Sequence, residues 1–302
     1  MKRQGWLEVA EAGGTLGIRF FVVVSTMFGR SVARAFLPFV ALYYTLFHKT
    51  ARRGSAEWIR RARGPEHVSR RAIYTHILRF AQVTVDRLFF VRRQMWRFDI
   101  RQHGEQWFKE IRSSDRGVII LGAHLGSFEA MWARAAVDSL PVNILGYFGN
   151  ARMINNALRQ LDSRWAGNLI EITPGRVDFV LEVKDRIDRG EHVAILGDRA
   201  GLGGDSVEVD FMGGRALFPT GVYVLAATLR CPVYLFLAVH TPPNRYDIYC
   251  EPFAEKITLP RKARLEGAQQ YAQQYARRLE HYGRAYPDNW FNFYDFWSEK
   301  KP

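Results

Sequence analysis

Short apolar runs bounded by glycine or polar residues recur through the last two-thirds of the chain. They predict buried strands at 117–121, 142–145, 168–172, 193–196, 207–211 and 233–239. Between several of them, as at 127–137 and 177–189, apolar side chains return every three or four residues, which predicts amphipathic helices. This alternation indicates an α/β fold whose mostly parallel central sheet is flanked by helices on both faces.

The first part of the chain has a different pattern. A strongly apolar stretch lies nearer the N-terminus, and a helical pattern follows it. Residues 72–112 repeat apolar positions at helical spacing, and residues 15–47 are the most apolar stretch, interrupted by Arg19, Arg30 and Arg34. Neither half of that stretch has 18 uncharged apolar residues, which argues against a spanning helix. Interleaved aromatics and arginines favour two short helices lying in one leaflet, with a buried helical hairpin as the alternative.

A basic block at 49–71 follows the apolar stretch and suits contact with anionic headgroups, or else a solvated helix face. We therefore predict two parts, a membrane-associating helical region at 1–71 and an α/β domain at 72–302. The α/β part ends in a polar amphipathic helix at 261–285 and the densely aromatic tail "YPDNWFNFYDFWSEKKP". No low-complexity linker separates the two parts.

Composition narrows the classes of partner. The 302-residue chain has a formal net charge of +13 and 14% aromatic residues, which suits nucleic acid, an anionic membrane or an acidic protein. No zinc finger, recognition helix or RNA-binding aromatic signature accompanies the charge, so nucleic acid is the least favoured of the three. The two cysteines, Cys231 and Cys250, form no metal-binding or disulfide pattern, which fits reduced, cytosolic surroundings and predicts no metal or redox cofactor.

The stretch "VIILGAHLGSFEA" carries the strongest chemical signal. His124 comes directly after a predicted strand, and Asp198 and Arg199 follow the strand "AILG". Ligands of parallel sheets bind beyond the carboxyl ends of the strands, so these side chains are predicted to share one crevice. Gly122 and Gly126 allow a tight turn and a close approach of ligand to backbone.

Glu129 stands five residues after His124, which on a continuous helix would separate the two side chains by about 140°. They meet if the helix begins only at Ser127, a good N-cap, with Glu129 in its first turn. The carboxylate would then fix the imidazole, leaving the other ring nitrogen to accept a proton from a substrate hydroxyl. Backbone N–H groups near Gly126 and Ser127, or an arginine side chain, are candidates for holding the oxyanion.

"GAHLGSFEA" resembles the H-x4-D/E block of the lysophospholipid acyltransferase superfamily, in the form found in bacterial lipid A late acyltransferases of the lauroyl and myristoyl type. Two further segments, "YFGNARMINNALRQLDSRWAGNLIEI" and the stretch from "GEHVAILGDRAG" to "LRCPVYLF", resemble later family blocks in the same order. The similarity covers roughly residues 15–297. "DRAG" replaces the more usual "DQD"-like stretch, and "FPTG" lacks the glutamate of the glycerophosphate enzymes.

The resemblance implies a glycerolipid acyltransferase-like sheet with an acyl groove, and transfer of a fatty acyl group from a thioester to a hydroxyl. It gives His124 as the base, Glu129 as its partner, and Arg164 and Asp198 as residues near the substrate. Acyl carrier protein or CoA would be the donor, and a lipid or glycolipid-like molecule the acceptor. The departures argue against a glycerol-phosphate acceptor and also against lipid A itself. The N-terminal segment "GWLEVAEAGGTLGIRFF" resembles stand-alone relatives with other acceptors. The implied location is the cytoplasmic face of a bacterial inner membrane.

Two other functions remain open at this point. One is a non-catalytic protein that binds a hydrophobic ligand on the same fold. The other is a thioesterase or lipid esterase, in which water replaces the acceptor hydroxyl.

Overall fold

The computed structural model describes residues 15–148, 156, 158, 161–162, 167–173, 175–200 and 205–298. The predicted substrate residue Arg164 lies outside these ranges. Strands within them are β1 Asp99–His103, β2 Ile119–Gly122, β3 Val142–Gly146, β4 Leu169–Glu171, β5 His192–Leu196, β6 Ser206–Phe211, β7 Gly214–Pro219, β8 Val233–Thr241 and β9 Arg245–Ala254. Helices are α1 Thr15–Met27, α2 Gly29–Phe47, α3 Lys49–Arg63, α4 Arg70–Val91, α5 Glu105–Ser113, α6 Phe128–Val137, α7 Phe179–Asp188, α8 Gly221–Leu229 and α9 Arg264–Ala285.

The central sheet of the described residues has the strand order β1-β9-β8-β2-β5-β3-β4. The five strands from β8 to β4 run parallel. Strand β9 pairs antiparallel with β8, and β1 runs parallel to β9 at the edge. The predicted mostly parallel sheet is therefore confirmed.

Both faces of the sheet are buried under helices. Ile119 and Leu121 of β2 point into a core that includes residues of α7, α8 and α9. Val118 and Ile120 point into a second core with residues of α4, α5 and α6. This alternation follows from the two-residue repeat of a strand, and it explains why β2 is apolar at every position.

All six predicted strands form, but the sequence pattern missed three others. Strand β6 leaves the main sheet and pairs with β7 in an antiparallel hairpin, whose turn places Met212 and Gly213 at φ values of 50° and 69°. Strand β1 lies in the region predicted to be helical. The helical prediction is confirmed by α4 and α5 but is wrong for these five residues. "DIRQH" is an edge strand whose side chains are all exposed or half-exposed, so no long apolar run marks it.

The N-terminal stretch folds as the predicted pair of helices, α1 and α2. On its inner side α2 buries Ala33, Leu37 and Ala41, while α3 contributes Trp58, which stacks on Trp290 with ring centroids 5.0 Å apart. None of the described helices has the length and hydropathy that crossing a bilayer requires. Membrane association and the boundary at residue 71 stay predictions.

Candidate active site

The loop between β2 and α6 positions His124. Helix α6 begins after Ser127, whose hydroxyl accepts a hydrogen bond from Ala130 N at 3.1 Å, so the predicted N-cap is confirmed. Gly126 has a φ of +86°, and a Cβ at this position would lie 2.0 Å from the carbonyl oxygen of Ala238. Only glycine fits there, because the loop packs directly on the backbone of β8.

Asp198 meets His124 at the carboxyl edge of the sheet. Because β2 and β5 are parallel neighbours, the residues that follow them lie side by side. The imidazole Nδ1 lies 2.8 Å from Asp198 Oδ1, and the backbone N–H of His124 donates to Asp198 Oδ2 at 3.1 Å. The aspartate side chain is completely buried, whereas that of His124 is 23% exposed and so remains accessible.

The C-terminal segment supports this pair from behind. Asn292 Nδ2 donates to Asp198 Oδ2 at 2.8 Å, and Arg199 Nε donates to Asn292 Oδ1 at 2.7 Å. The N–H of Phe291 donates to the carbonyl of His124 at 2.8 Å. Sequence reasoning missed Asn292 because it lies 94 residues beyond Asp198, in a tail whose only signal was its aromatic content.

These surroundings set the charges of the pair. Burial, followed by the charge of Arg199, lowers the pKa of His124 below its usual 6.5 against the opposing effect of Asp198. Burial alone would raise the pKa of Asp198, but His124, Arg199 and the amide of Asn292 together lower it. The imidazole is therefore neutral and the carboxylate ionised at neutral pH.

Glu129 does not hold the imidazole, which corrects the sequence-based prediction. In the described part of the chain no hydrogen bond joins the two side chains. Glu129 is buried in the first turn of α6, where Oε2 lies 3.1 Å from Arg87 Nε and accepts from the hydroxyl of Ser127 at 3.4 Å. The physical reason is that Asp198 already occupies Nδ1, while α4 brings a guanidinium to the carboxylate.

The backbone donors near the loop are also engaged. The N–H of Gly126 donates to Asn289 O at 2.8 Å, and that of Ser127 donates to Ala238 O at 2.7 Å. Neither of these two N–H groups is free to hold an oxyanion in this structure, because both already pair within the fold. The position of an oxyanion site stays a prediction. Two arginine charges lower the pKa of His124, that of Arg199 more strongly than that of Arg87.

One comparison with known proteins bears on identity. No curated protein matches the chain significantly. A family model described as bacterial lipid A biosynthesis acyltransferase matches residues 7–299. Because that match spans nearly the whole chain, the chain belongs to the bacterial lipid A biosynthesis acyltransferase family, whose members are acyltransferase enzymes acting on a lipid acceptor.

Proposed function

We propose that this acyltransferase moves a fatty acyl group from an acyl thioester directly to a hydroxyl of a lipid or glycolipid-like acceptor. His124 Nε2 takes the proton of the acceptor hydroxyl as its oxygen attacks the thioester carbonyl. The C–S bond then breaks, and the imidazolium returns the proton to the departing thiolate. No acyl group becomes attached to the protein.

The contact between His124 and Asp198 is the observation that carries this proposal. An ionised carboxylate only accepts hydrogen bonds, so Nδ1 must hold the ring proton and Nε2 keeps its lone pair. Nε2 has no hydrogen-bond partner among the described residues. A neutral, oriented and partly exposed imidazole is what removal of a proton from a hydroxyl requires.

One further feature concerns the negative charge that develops during attack on the thioester. The positive charge of Arg199 acts on the imidazole of His124, and such a charge stabilises a negative charge that develops nearby. We assign that charge stabilisation to Arg199 in place of the engaged backbone groups.

The donor is an acyl group carried by acyl carrier protein or by CoA. The net charge of +13 favours the acidic carrier protein, because complementary charge accelerates docking.

The product of a reaction with purified protein tests the proposal. Given an acyl thioester and a lipid acceptor, we expect an acylated lipid and a free thiol in equal amounts, measured by mass spectrometry and a thiol assay. The thioester alone should be consumed far more slowly, because water is not held at His124 as an acceptor hydroxyl is. Rapid release of free fatty acid without acceptor would instead identify a thioesterase.

We further propose that the enzyme works on the cytoplasmic face of the bacterial inner membrane and attaches through α1 and α2. Twelve of the seventeen exposed large hydrophobic residues of the described chain lie between Leu16 and Phe47. Phe20 of α1 and Phe36 of α2 are in ring contact at 5.4 Å, which makes the exposed apolar surface continuous across both helices. An exposed apolar patch of this extent favours a lipid surface.

Replacing Phe39 and Phe47 by glutamate should release the protein from vesicles. Both side chains are about 70% exposed, at 71% and 69%, so their loss leaves the core intact. Burial of one Phe side chain contributes ~1.5–3 kcal/mol, so each substitution should weaken binding by at least ~10-fold. The measurement is co-sedimentation with anionic vesicles at high salt, where apolar insertion persists and charge attraction is screened.

The matched control is Leu181→Glu on α7, an equally exposed apolar side chain at 70% that lies outside α1 and α2. It should sediment like the wild type. Equal sedimentation of the double variant and the wild type would show that α1 and α2 do not insert into lipid.

A further inference from the structure

A second group of titratable side chains lies apart from the His124–Asp198 pair, between α2, α4 and the end of β8. We refer to Arg30, Arg34, Arg79, Asp86 and His240 as the arginine cluster. Arg30 forms a two-pronged ion pair with Asp86, at 2.7 and 2.9 Å, and Arg34 Nη2 lies 3.7 Å from the same carboxylate. The hydroxyl of Tyr246 donates to Asp86 as well, at 2.9 Å.

The cluster carries more positive than negative charge. Asp86 is completely buried and faces two guanidiniums. Arg79 is only 9% exposed and makes no ion pair with a carboxylate among the described residues. Asp288 acts on Arg79 from a distance, but its ion pair is with Arg63, at 3.0 Å. Buried cations without a matching anion are costly, so this excess calls for an explanation.

His240 cannot satisfy both arginines that contact it. Arg34 Nη2 lies 3.3 Å from Nε2, and Arg79 Nη1 lies 3.0 Å from Nδ1. Burial and the neighbouring arginines lower the pKa of His240 to about 2, so its ring is neutral. A neutral imidazole has one acceptor nitrogen and one N–H group. One of the two guanidinium groups therefore faces the ring N–H and cannot form a hydrogen bond there.

Two guanidinium N–H donors of the arginine cluster are also unpaired within the described part of the chain. The Nε atoms of Arg34 and Arg79 are both buried, and neither has a hydrogen-bond partner among the described residues. Buried guanidinium N–H groups are normally paired. A group with several acceptor oxygens and negative charge would pair these donors and balance the excess charge, which describes a phosphate ester.

The arginine cluster lies on the same edge of the sheet as His124. The loop that carries His124 forms a β-bridge from Gly126 to Ala238 of β8. His240 follows Ala238 two residues later, about 7 Å along the strand. Asn289 joins the two places, since it pairs with both backbone groups of His240 and accepts from the N–H of Gly126. Arg34 reaches the surface beside Pro243, on a helix whose outer face is apolar.

We propose that the arginine cluster binds a phosphate ester of a substrate, with Arg34 and Arg79 as its ligands. Two substrates could present such a group at this edge: the headgroup of the lipid acceptor and the phosphopantetheine arm of the donor. The position beside the apolar outer face of α2 favours the acceptor lipid. This assignment to a substrate rests on the proposed acyl transfer, whereas phosphate binding itself does not.

Binding of inorganic phosphate to the purified full chain is the first test. Phosphate at ~100 times its Kd should raise the Tm by about 5 °C relative to chloride at equal ionic strength. Arg79→Gln should abolish that rise, and without phosphate its Tm should not fall, because an unpaired buried cation has been removed. Arg34→Gln, at the more exposed side, should also abolish the rise.

Arg278→Gln on α9, whose side chain is 48% exposed, is the matched control and should keep the phosphate effect. The proposal is overturned if phosphate stabilises Arg79→Gln as much as the wild type. It is equally overturned if phosphate leaves the wild type unchanged while Arg79→Gln loses stability, since the cluster is then structural.

Kinetics with paired substrates identify the source of the phosphate. When the donor carries its phosphopantetheine and the acceptor carries its headgroup phosphate, Arg79→Gln should raise the KM of one of the two substrates at least ~10-fold, with little change in kcat. If the acceptor carries the phosphate, the increase disappears with a dephosphorylated lipid. If the donor carries it, the increase disappears with an acyl-N-acetylcysteamine thioester. An increase that persists in all combinations overturns the assignment to a substrate, and absence of acyl transfer in the wild type overturns the proposed function instead.

Discussion

His124→Ala is expected to lower turnover by ~10²–10⁴-fold, the contribution of a general base. The ring hydrogen-bonds to Asp198 through Nδ1, and its removal leaves no group at this position to accept the proton of the hydroxyl. Steady-state assays with thioester and lipid acceptor measure the loss. Thermal unfolding should change little, because the side chain is 23% exposed and the loop is held mainly by its backbone.

His281→Ala on α9 serves as the control, since this histidine is exposed on another helix. It should retain full turnover and the same Tm. Near-normal turnover of His124→Ala would contradict general-base catalysis by this residue. A large fall in Tm without a fall in turnover per folded molecule would give the histidine a structural role only.

The sequence was sufficient to predict the five parallel strands from β8 to β4 and the meeting of His124 with Asp198. Each of these two residues follows a buried apolar run, and parallel strands bring their carboxyl ends to one edge. The same logic could not find β1 or β9. Strand β1 lies at the edge of the sheet and β9 runs antiparallel to β8, and neither is a continuous apolar run. Local pattern thus predicts the buried parallel strands, whereas strands β1 and β9 depend on tertiary contacts.

The spacing of residues in the sequence could not identify the hydrogen-bond partner of the His124 imidazole. Glu129 is nearer in sequence, and the N-cap at Ser127 does place it in the first turn, as expected. Its orientation depends on Arg87 of α4, a contact between residues that lie 42 positions apart. Asn292, which fixes Asp198, comes from the other end of the chain. Spacing within a motif indicates which side chains are near, but hydrogen-bond partners depend on what the rest of the fold brings.

Asp198→Asn should reduce turnover by ~10²–10⁴-fold by giving His124 the wrong tautomer. In the wild type, Oδ2 accepts from the backbone N–H of His124 and from Asn292 Nδ2. An asparagine must turn its amide oxygen toward these two donors, which places its NH2 group against Nδ1. The ring then has to accept there, so its proton moves to Nε2 and the base is lost.

The pH dependence of kcat/KM separates this positioning role from a structural one. Because the pKa of His124 lies below 6.5, wild-type activity should persist as the pH falls through 6.5 and decline only below it. Asp198 raises that pKa, so its replacement should shift the acid limb of the residual activity to still lower pH. A lower rate with an unchanged pH profile would mean that Asp198 only supports the fold.

Glu129→Gln is the matched control, since it too converts a buried carboxylate to an amide beside the same loop. Its partner is Arg87, so we expect lower stability, because a largely buried guanidinium loses its counter-ion. The loss of turnover should be smaller than for Asp198→Asn, and the acid limb should not move, because Glu129 does not contact the imidazole. If Glu129→Gln shifts the acid limb and Asp198→Asn does not, Glu129 is the working partner of His124 after all, and the hydrogen bond to Asp198 is not the one used in catalysis.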